Sequence, residues 1–345
     1  MKTMRTAMYY NNHDIRIEEI SVPQIGRGEI LMKVIASGVC GSDVLEWYRI
    51  HKAPLVLGHE VSGEIAEVGE GITSFKIGDR IVASHHVPCN TCYYCLTGHH
   101  TACDTLRNTD FDPGGFAEFI RLPSIHVSHG AFSIPDELSF EQATFHEPLG
   151  CVLRALRRAD LKPGQTVLII GCGIAGLLAV ATARSLGAGK IMAVEPVLFR
   201  REAAKQFGAD SALSPEEDVK TILQKMTCGR AADLVMVCTG AENAQRVALN
   251  TVERGGKVLF FAPTDPDVKI PLSINDILFR NDVTLTTSYG AAPFDSWLAL
   301  QMMADKTIDV SEMITHRFPL DKTADAFRIT AQASDSIKVI VQPNQ

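Results

Sequence analysis

The stretch TVLIIGCGIAG, residues 166–176, restricts the fold of this 345-residue chain more than any other. Five strand-forming residues run into Gly171, Gly173 and Gly176, and IAGLLAVATARSLGA then continues with helical apolar spacing. A GxGxxG pattern alone is a common turn. Between a strand and a helix it becomes a phosphate loop: the first glycine permits a tight turn and the second lets backbone approach a pyrophosphate. The third seats the helix close to the strand, with Ile174 and Ala175 opening the positive helix end. The texture continues as strand KIMAVEP, helix REAAKQFGA, strand ADLVMVCTG, helix ENAQRVALNTV and strand GGKVLFFAP. Such alternation predicts a parallel sheet covered on both faces, an α/β architecture.

Glu195 ends the strand after the glycine loop, where a carboxylate can accept hydrogen bonds from adenosine ribose hydroxyls. A 2'-phosphate there would meet like charge, at a cost of about 4 kcal/mol for unit charges about 4 Å apart at an effective dielectric near 20. The carboxylate therefore favours NAD over NADP. Arg200 and Arg201 pull the other way, since either could meet a phosphate. Cys238, Thr239, Phe261 and Ala262, at the ends of later strands, are candidate neighbours of the cofactor, with ordinary strand-end packing as the competing reading.

Residues 1 to about 150 read differently. EILMKVIASG, VSGEIAEVG and GDRIVAS are short strands broken by Gly and Pro, so this region is mostly β. After about residue 285 the segments are mixed, with a helical FDSWLALQMMAD and a final strand SIKVIVQ, and the tail is expected to pack back on the first domain. The apolar runs end far short of the roughly 20 residues needed to cross a bilayer. MKTMRTAMYYNNHD lacks an apolar export core, which makes the cytoplasm the expected compartment. A formal charge of -7 without basic runs argues against nucleic-acid or anionic-membrane binding and for a small-molecule partner.

Nine cysteines in such a chain suggest metal binding rather than disulfides. Cys89, Cys92, Cys95 and Cys103 stand at C-x2-C-x2-C-x7-C, a spacing that can close a tetrahedron around zinc and leave no position for substrate. Iron-sulfur families space their cysteines differently. His85, His86, His99 and His100 are then expected on the loop surface. A sparser set comprises Cys40 in GVCGSD, His59 and Glu60 in LGHE, and Glu147 in HEPLG. As a group these offer sulfur, nitrogen and carboxylate oxygen, which suits zinc with one position left open. Spacing alone equally allows unrelated residues in a β-rich domain.

Taken in order, GVCGSD, GHE, the GD before IVAS, the four-cysteine lobe, GGFAE, EPLG, the glycine loop and the strand-end acid resemble the zinc-dependent medium-chain dehydrogenases. The polyol branch, with sorbitol and threonine dehydrogenases, is the most similar. The resemblance covers essentially the whole chain. It implies a GroES-like catalytic domain from residues 1–151 and 287–345 and a Rossmann domain from 152–286. It also implies a catalytic zinc on Cys40, His59 and Glu147, with Glu60 as the alternative carboxylate, and a structural zinc on the cysteine lobe. Ser42 matches the hydroxyl that receives the substrate proton, and Asp43 a carboxylate that orients His59. Relatives of this kind are commonly homodimers or homotetramers, and VTLTTSY could pair across subunits.

Two departures stand out. Leu45 occupies the place where many relatives carry a relay histidine, which leaves water, His51 or His146 as exits for the proton. The Arg-Tyr pair that contacts polyol hydroxyls in sorbitol dehydrogenases is Ser288 and Tyr289 here, so Tyr289 is the candidate substrate contact and polyol specificity is open. The expected reaction is reversible oxidation of a secondary alcohol to a ketone with hydride transfer to NAD. The alternatives are an amino-alcohol, hydroxy amino acid or hydroxyacyl thioester substrate, a zinc-free reductase, and a non-catalytic NAD-binding protein on the same fold.

Overall fold

The computed structural model describes residues 2–270 and 272–345, and the chain forms two compact units, residues 1–150 with 290–345 and residues 151–289. Among the described residues before position 150 the strands are β1 (Thr3–Asn11), β2 (Asp14–Ser21), β3 (Ile30–Val39), β4 (Leu55–Val56), β5 (Glu60–Val68), β6 (Arg80–Ser84), β7 (Phe119–Leu122) and β8 (Ala131–Ser133). The second unit holds β9 (Thr166–Ile170), β10 (Lys190–Val194), β11 (Ser211–Leu213), β12 (Ala232–Val237), β13 (Val252–Phe260) and β14 (Thr284–Thr287). The chain ends with β15 (Ile314–Pro319) and β16 (Lys338–Gln342).

In the first unit the larger sheet runs β15-β16-β3-β5-β6-β8, with β7 also on β3, and β2-β1-β4 form a smaller one. β3 is buried along most of its length because neighbours flank it on both edges. The carboxyl-terminal strand β16 pairs antiparallel with β3, Val339 opposite Val39, so the tail does return to the first domain. Registers at that end of the sheet decide what meets there. Gly38 lies opposite Glu60, Glu60 opposite Ser84, and Ile340 opposite Gly38. Residues flanking these positions on four strands are thereby brought to one place.

The second unit is a six-stranded sheet, all parallel, in the order β11-β10-β9-β12-β13-β14. That is the doubly wound dinucleotide-binding order, whose direction reverses between β9 and β12. All five residues of β9 are buried, as expected for a central strand with helices on both faces. Leu168, Ile170, Val235 and Val237 share one core with Ala244 and Ala248 of the helix Glu242–Thr251. No helix of the described residues is long and apolar enough to cross a membrane.

Candidate metal centre and dinucleotide site

Cys40 follows β3 and His59 precedes β5, so the Gly38–Glu60 register places them side by side. The ligand atoms of Cys40, His59 and Glu60 all lie within 4.8 Å of one another. Their turn is tightly determined. Asp43 N donates to Cys40 O, Cys40 N donates to Asp43 Oδ2, both at 3.0 Å, and Ser42 N and Oγ each donate to Cys40 Sγ at 3.4 Å. Asp43, fully buried, faces His59 Nδ1 at 3.3 Å with its other oxygen and thereby leaves Nε2 for a ligand.

The electrostatics agree. Burial would raise the Asp43 pKa, yet His59, Arg49 and the Cys40 N–H hold it below the ordinary carboxylate value. Burial opposes a charge on His59, but Asp43 and Cys40 lift its pKa well above the usual value. Glu60 Oε1 is buried with no hydrogen-bond partner, an orphan acceptor that a cation beside Cys40 and His59 would satisfy. The donor set therefore fits zinc. Glu147 lies buried in the first turn of the helix His146–Arg158 and stands outside this group.

Several expectations are revised at this site. His85 and His86 are half-buried instead of lying on the loop surface, because β6 delivers them beside β5. The His85 ring is 4.7 Å from that of His59 and 3.9 Å from that of His86, whose Nδ1 is 2.9 Å from the Thr109 carbonyl oxygen. Burial pushes both pKa values down, that of His86 to about 4, so both are neutral near pH 7. His99 is exposed and His100 half-buried. His146 is fully buried, neither ring nitrogen has a hydrogen-bond partner, and desolvation lowers its pKa to about 3; such a ring offers no path for a proton to solvent. His51 is exposed. Arg49 and Lys338, neither singled out from the sequence, touch Ser42 and Glu60 respectively.

The four-cysteine lobe is a second donor cluster. Its sulfur atoms gather within 4.8 Å, with Cys92–Cys95 and Cys89–Cys103 Sγ separations of 3.6 Å. A zinc tetrahedron with bonds near 2.3 Å has edges of about 3.8 Å. All four are free thiols, and Thr91 and Cys92 hydrogen bonds lower the Cys89 pKa to about 5, favouring a thiolate. Here too the residues fit zinc.

In the second unit Gly171 has φ +90°, and a Cβ at Gly176 would overlap the Gly171 carbonyl, so the first and third glycines are sterically required. Gly173, Ile174 and Ala175 remain partly accessible where the helix Ile174–Ser185 begins, while Gly171, Cys172 and Gly176 are buried. The accessible residues are those a phosphate would meet. Buried Glu195 braces this loop: Oε2 accepts from Cys172 N at 2.7 Å and Oε1 from Val197 N at 3.0 Å. Arg201 Nη1 is spent on the carbonyls of Glu195 and Pro196, at 2.8 and 2.7 Å, whereas Arg200 Nη1 lies 4.0 Å from where a Gly173 Cβ would stand. Cys238 N bonds Ile170 O at 2.8 Å and Thr239 packs on Gly171, which places both at the switch point between β9 and β12. Phe261 and Ala262 follow β13 and both donate to Val237 O. Tyr289 is half-exposed beyond β14, and Ser288 beside it is buried.

Comparison with known proteins identifies the family. Residues 26–136 match the family Alcohol dehydrogenase GroES-like domain, and residues 175–305 match Zinc-binding dehydrogenase. The chain is 33% identical to a sorbitol dehydrogenase of Bacillus subtilis, over 100% of this chain and 98% of that one. It is 32% identical to an L-threonine 3-dehydrogenase of Caldanaerobacter subterraneus, over 97% of each. A solved structure described as a zinc-binding dehydrogenase of Sinorhizobium meliloti, bound to NADP, superimposes with a TM-score of 0.87 at 27% identity, covering 99% of this chain and 100% of that one. The two units are thus a GroES-like and a Rossmann-type domain, and the chain belongs to the zinc-dependent medium-chain dehydrogenase family.

Proposed function

We propose that the chain reversibly oxidises a secondary alcohol, a polyol or a related hydroxy compound, to its ketone and passes the hydride to NAD. The observation that carries this reading is the gathering of Cys40, His59 and Glu60 next to the Ser42 hydroxyl. Zinc held by Cys40 and His59, with a carboxylate from Glu60 or Glu147, would supply Lewis acidity that eases loss of the alcohol proton, as bound water falls from a pKa of about 15.7 to about 7. Ser42 contacts the substrate oxygen, and Asp43 keeps the His59 ring in one orientation and tautomer. The N–H groups at Gly173–Ala175 hold pyrophosphate, and Glu195 takes the ribose hydroxyls. Tyr289 is the proposed substrate contact. A second zinc on Cys89, Cys92, Cys95 and Cys103 shapes the lobe, and the functional particle is a homodimer or homotetramer.

A hydroxy amino acid is the second reading, supported by the similarity to L-threonine 3-dehydrogenases and by Ser288 standing where a polyol-binding arginine would be expected. Metal content per chain, measured beside NAD and NADP reduction over polyols, secondary alcohols, L-threonine and hydroxyacyl thioesters, decides between them. Cys40→Ser is expected to lose one of two zinc ions and all turnover. Equal metal content in parent and variant, with no turnover of any alcohol by the parent, would sink the proposal.

A further inference from the structure

Arg49 Nη2 donates to Ser42 Oγ at 3.0 Å and reaches Asp43 Oδ1 at 3.3 Å, while Nε donates to the Ser42 carbonyl oxygen at 3.1 Å. One guanidinium thus spans the hydroxyl beside Cys40 and the carboxylate behind His59. The side chain is 15% exposed and its guanidinium lies 4.7 Å from the centre of the Tyr48 ring, which limits it to one pose. Its origin is helical. Arg49 N bonds Leu45 O, so residue 49 stands one turn beyond residue 45, and side chains on a helix lean toward its amino end. An arginine at 49 can therefore fill the place that a side chain at 45 would otherwise approach.

A guanidinium has five donors and no acceptor, and it does not deprotonate in proteins. Ser42 Oγ must accept from it, which leaves the serine's own hydrogen for an acceptor on the other side. In the described residues that acceptor is Cys40 Sγ, at 3.4 Å. With an alcohol bound, the reacting oxygen is the competing acceptor. A proton received by Ser42 cannot move on to Arg49.

We propose that Arg49 is a positioning residue that fixes Ser42 as a hydrogen-bond donor to the reacting oxygen and clamps Asp43 against His59, in place of a proton-relay histidine. The inference rests on the alcohol dehydrogenase reading above. In oxidation the substrate C–H bond delivers hydride to the nicotinamide, the O–H proton leaves to water, and Arg49 keeps its protons throughout.

The test compares Arg49→Ala, Arg49→Lys, Ser42→Ala and the Arg49→Ala/Ser42→Ala double variant. Arg49→Ala is expected to lower kcat/KM for the alcohol by about 10- to 100-fold, the size of one hydrogen bond to a charged group. KM for the cofactor and metal content should hold. Added guanidinium, well below denaturing concentrations, should restore part of the loss, Arg49→Lys should fall between, and Ser42→Ala should cost little more once Arg49 is gone. An activity-independent reading comes from the cobalt-substituted protein without alcohol. Releasing Ser42 alters the hydrogen bonds to Cys40 Sγ and should shift the thiolate-to-cobalt absorption band. Parental turnover in Arg49→Ala would overturn the inference. So would a loss that guanidinium does not relieve and that adds fully to the Ser42→Ala loss. Should the parent oxidise no alcohol, the functional reading fails by itself, and an unmoved cobalt band in Arg49→Ala would separately overturn the positioning role.

Discussion

Lys338 Nζ donates to Glu60 Oε2 and, at 3.1 Å, to the Val39 carbonyl oxygen, although both side chains are fully buried and 278 residues apart in sequence. The last strand thus places a cation on one oxygen of a carboxylate that gathers with Cys40 and His59, while its other oxygen is buried with no hydrogen-bond partner. Room for the pair exists because residue 38 is glycine: a Cβ there would overlap Glu60 Oε2 and approach Lys338 Cε to 2.7 Å.

Removing one partner of a buried pair strands the other charge. Lys338→Met is expected to destabilise the protein by about 3–5 kcal/mol, and Lys338→Met/Glu60→Gln by much less than the sum of the single losses. Urea unfolding of the three variants checks this. Additive losses would mean that the two groups do not stabilise each other.

His146 makes a pH prediction whose sign follows from its burial. Its folded pKa, about 3, lies below the ordinary value of 6.5, so the unfolded chain binds a proton that the native ring refuses between those limits. Stability from this residue is complete above pH 6.5 and is lost as pH falls toward 3. Relative to the parent, His146→Leu should gain about 2 kcal/mol between pH 7.5 and pH 5, at 1.36 kcal/mol for each pH unit below 6.5. Denaturant unfolding at the two pH values measures the difference. An equal gap at both would show the ring to be solvated.

The cysteine lobe contains only short helices, Tyr93–Leu96, His100–Ala102 and Asp104–Asn108, and its small core consists of Leu106 and the cysteines themselves. With so little apolar burial, the proposed metal would substitute for a core. Cys95→Ser should lose one metal ion per chain and be cut by protease within residues 88–108 at least about tenfold faster, equivalent to about 1.4 kcal/mol of local stability. Protection equal to that of the parent would show that the lobe holds without metal.

Much of this was legible in the residues, for physical reasons. Strand β9 and the loop after it carry a local signal, since a tight turn, a phosphate approach and a close helix each demand glycine at a fixed spacing. The four-cysteine lobe is equally local. The centre at Cys40 and His59 is not, because it depends on the register of β3, β5, β6 and β16, and register is a property of pairing. For that reason His85 and His86 read as surface while β6 carries His85 beside His59 and His86 beside His85. Lys338 sits in an apolar strand where a lysine normally snorkels to water, and the Glu60 carboxylate with the Val39 carbonyl accounts for its burial. Arg49 had a usable signal: it lies one helical turn after Leu45, the position where the expected relay side chain is absent.

Cofactor choice turns on Glu195. Its carboxylate holds Cys172 N and Val197 N, so it is fixed at the strand end, and in the proposed function that is where a ribose 2' substituent would arrive. Arg200 Nη1 lies 4.0 Å from where a Gly173 Cβ would stand, which makes it the candidate cation for a phosphate. The parent should therefore prefer NAD by kcat/KM. Glu195→Ala should lower the NAD:NADP ratio by at least about tenfold, since each 1.36 kcal/mol of repulsion removed is a factor of ten. Adding Arg200→Ala should cancel the gain with NADP and leave NAD nearly unaffected. Because Glu195 also braces the loop, part of the loss with NAD will appear in both variants, and the ratio rather than either rate is the quantity to follow. A parent that uses the two cofactors equally would mean that the carboxylate turns away from the ribose when cofactor binds, and the charge argument at this strand end would fail.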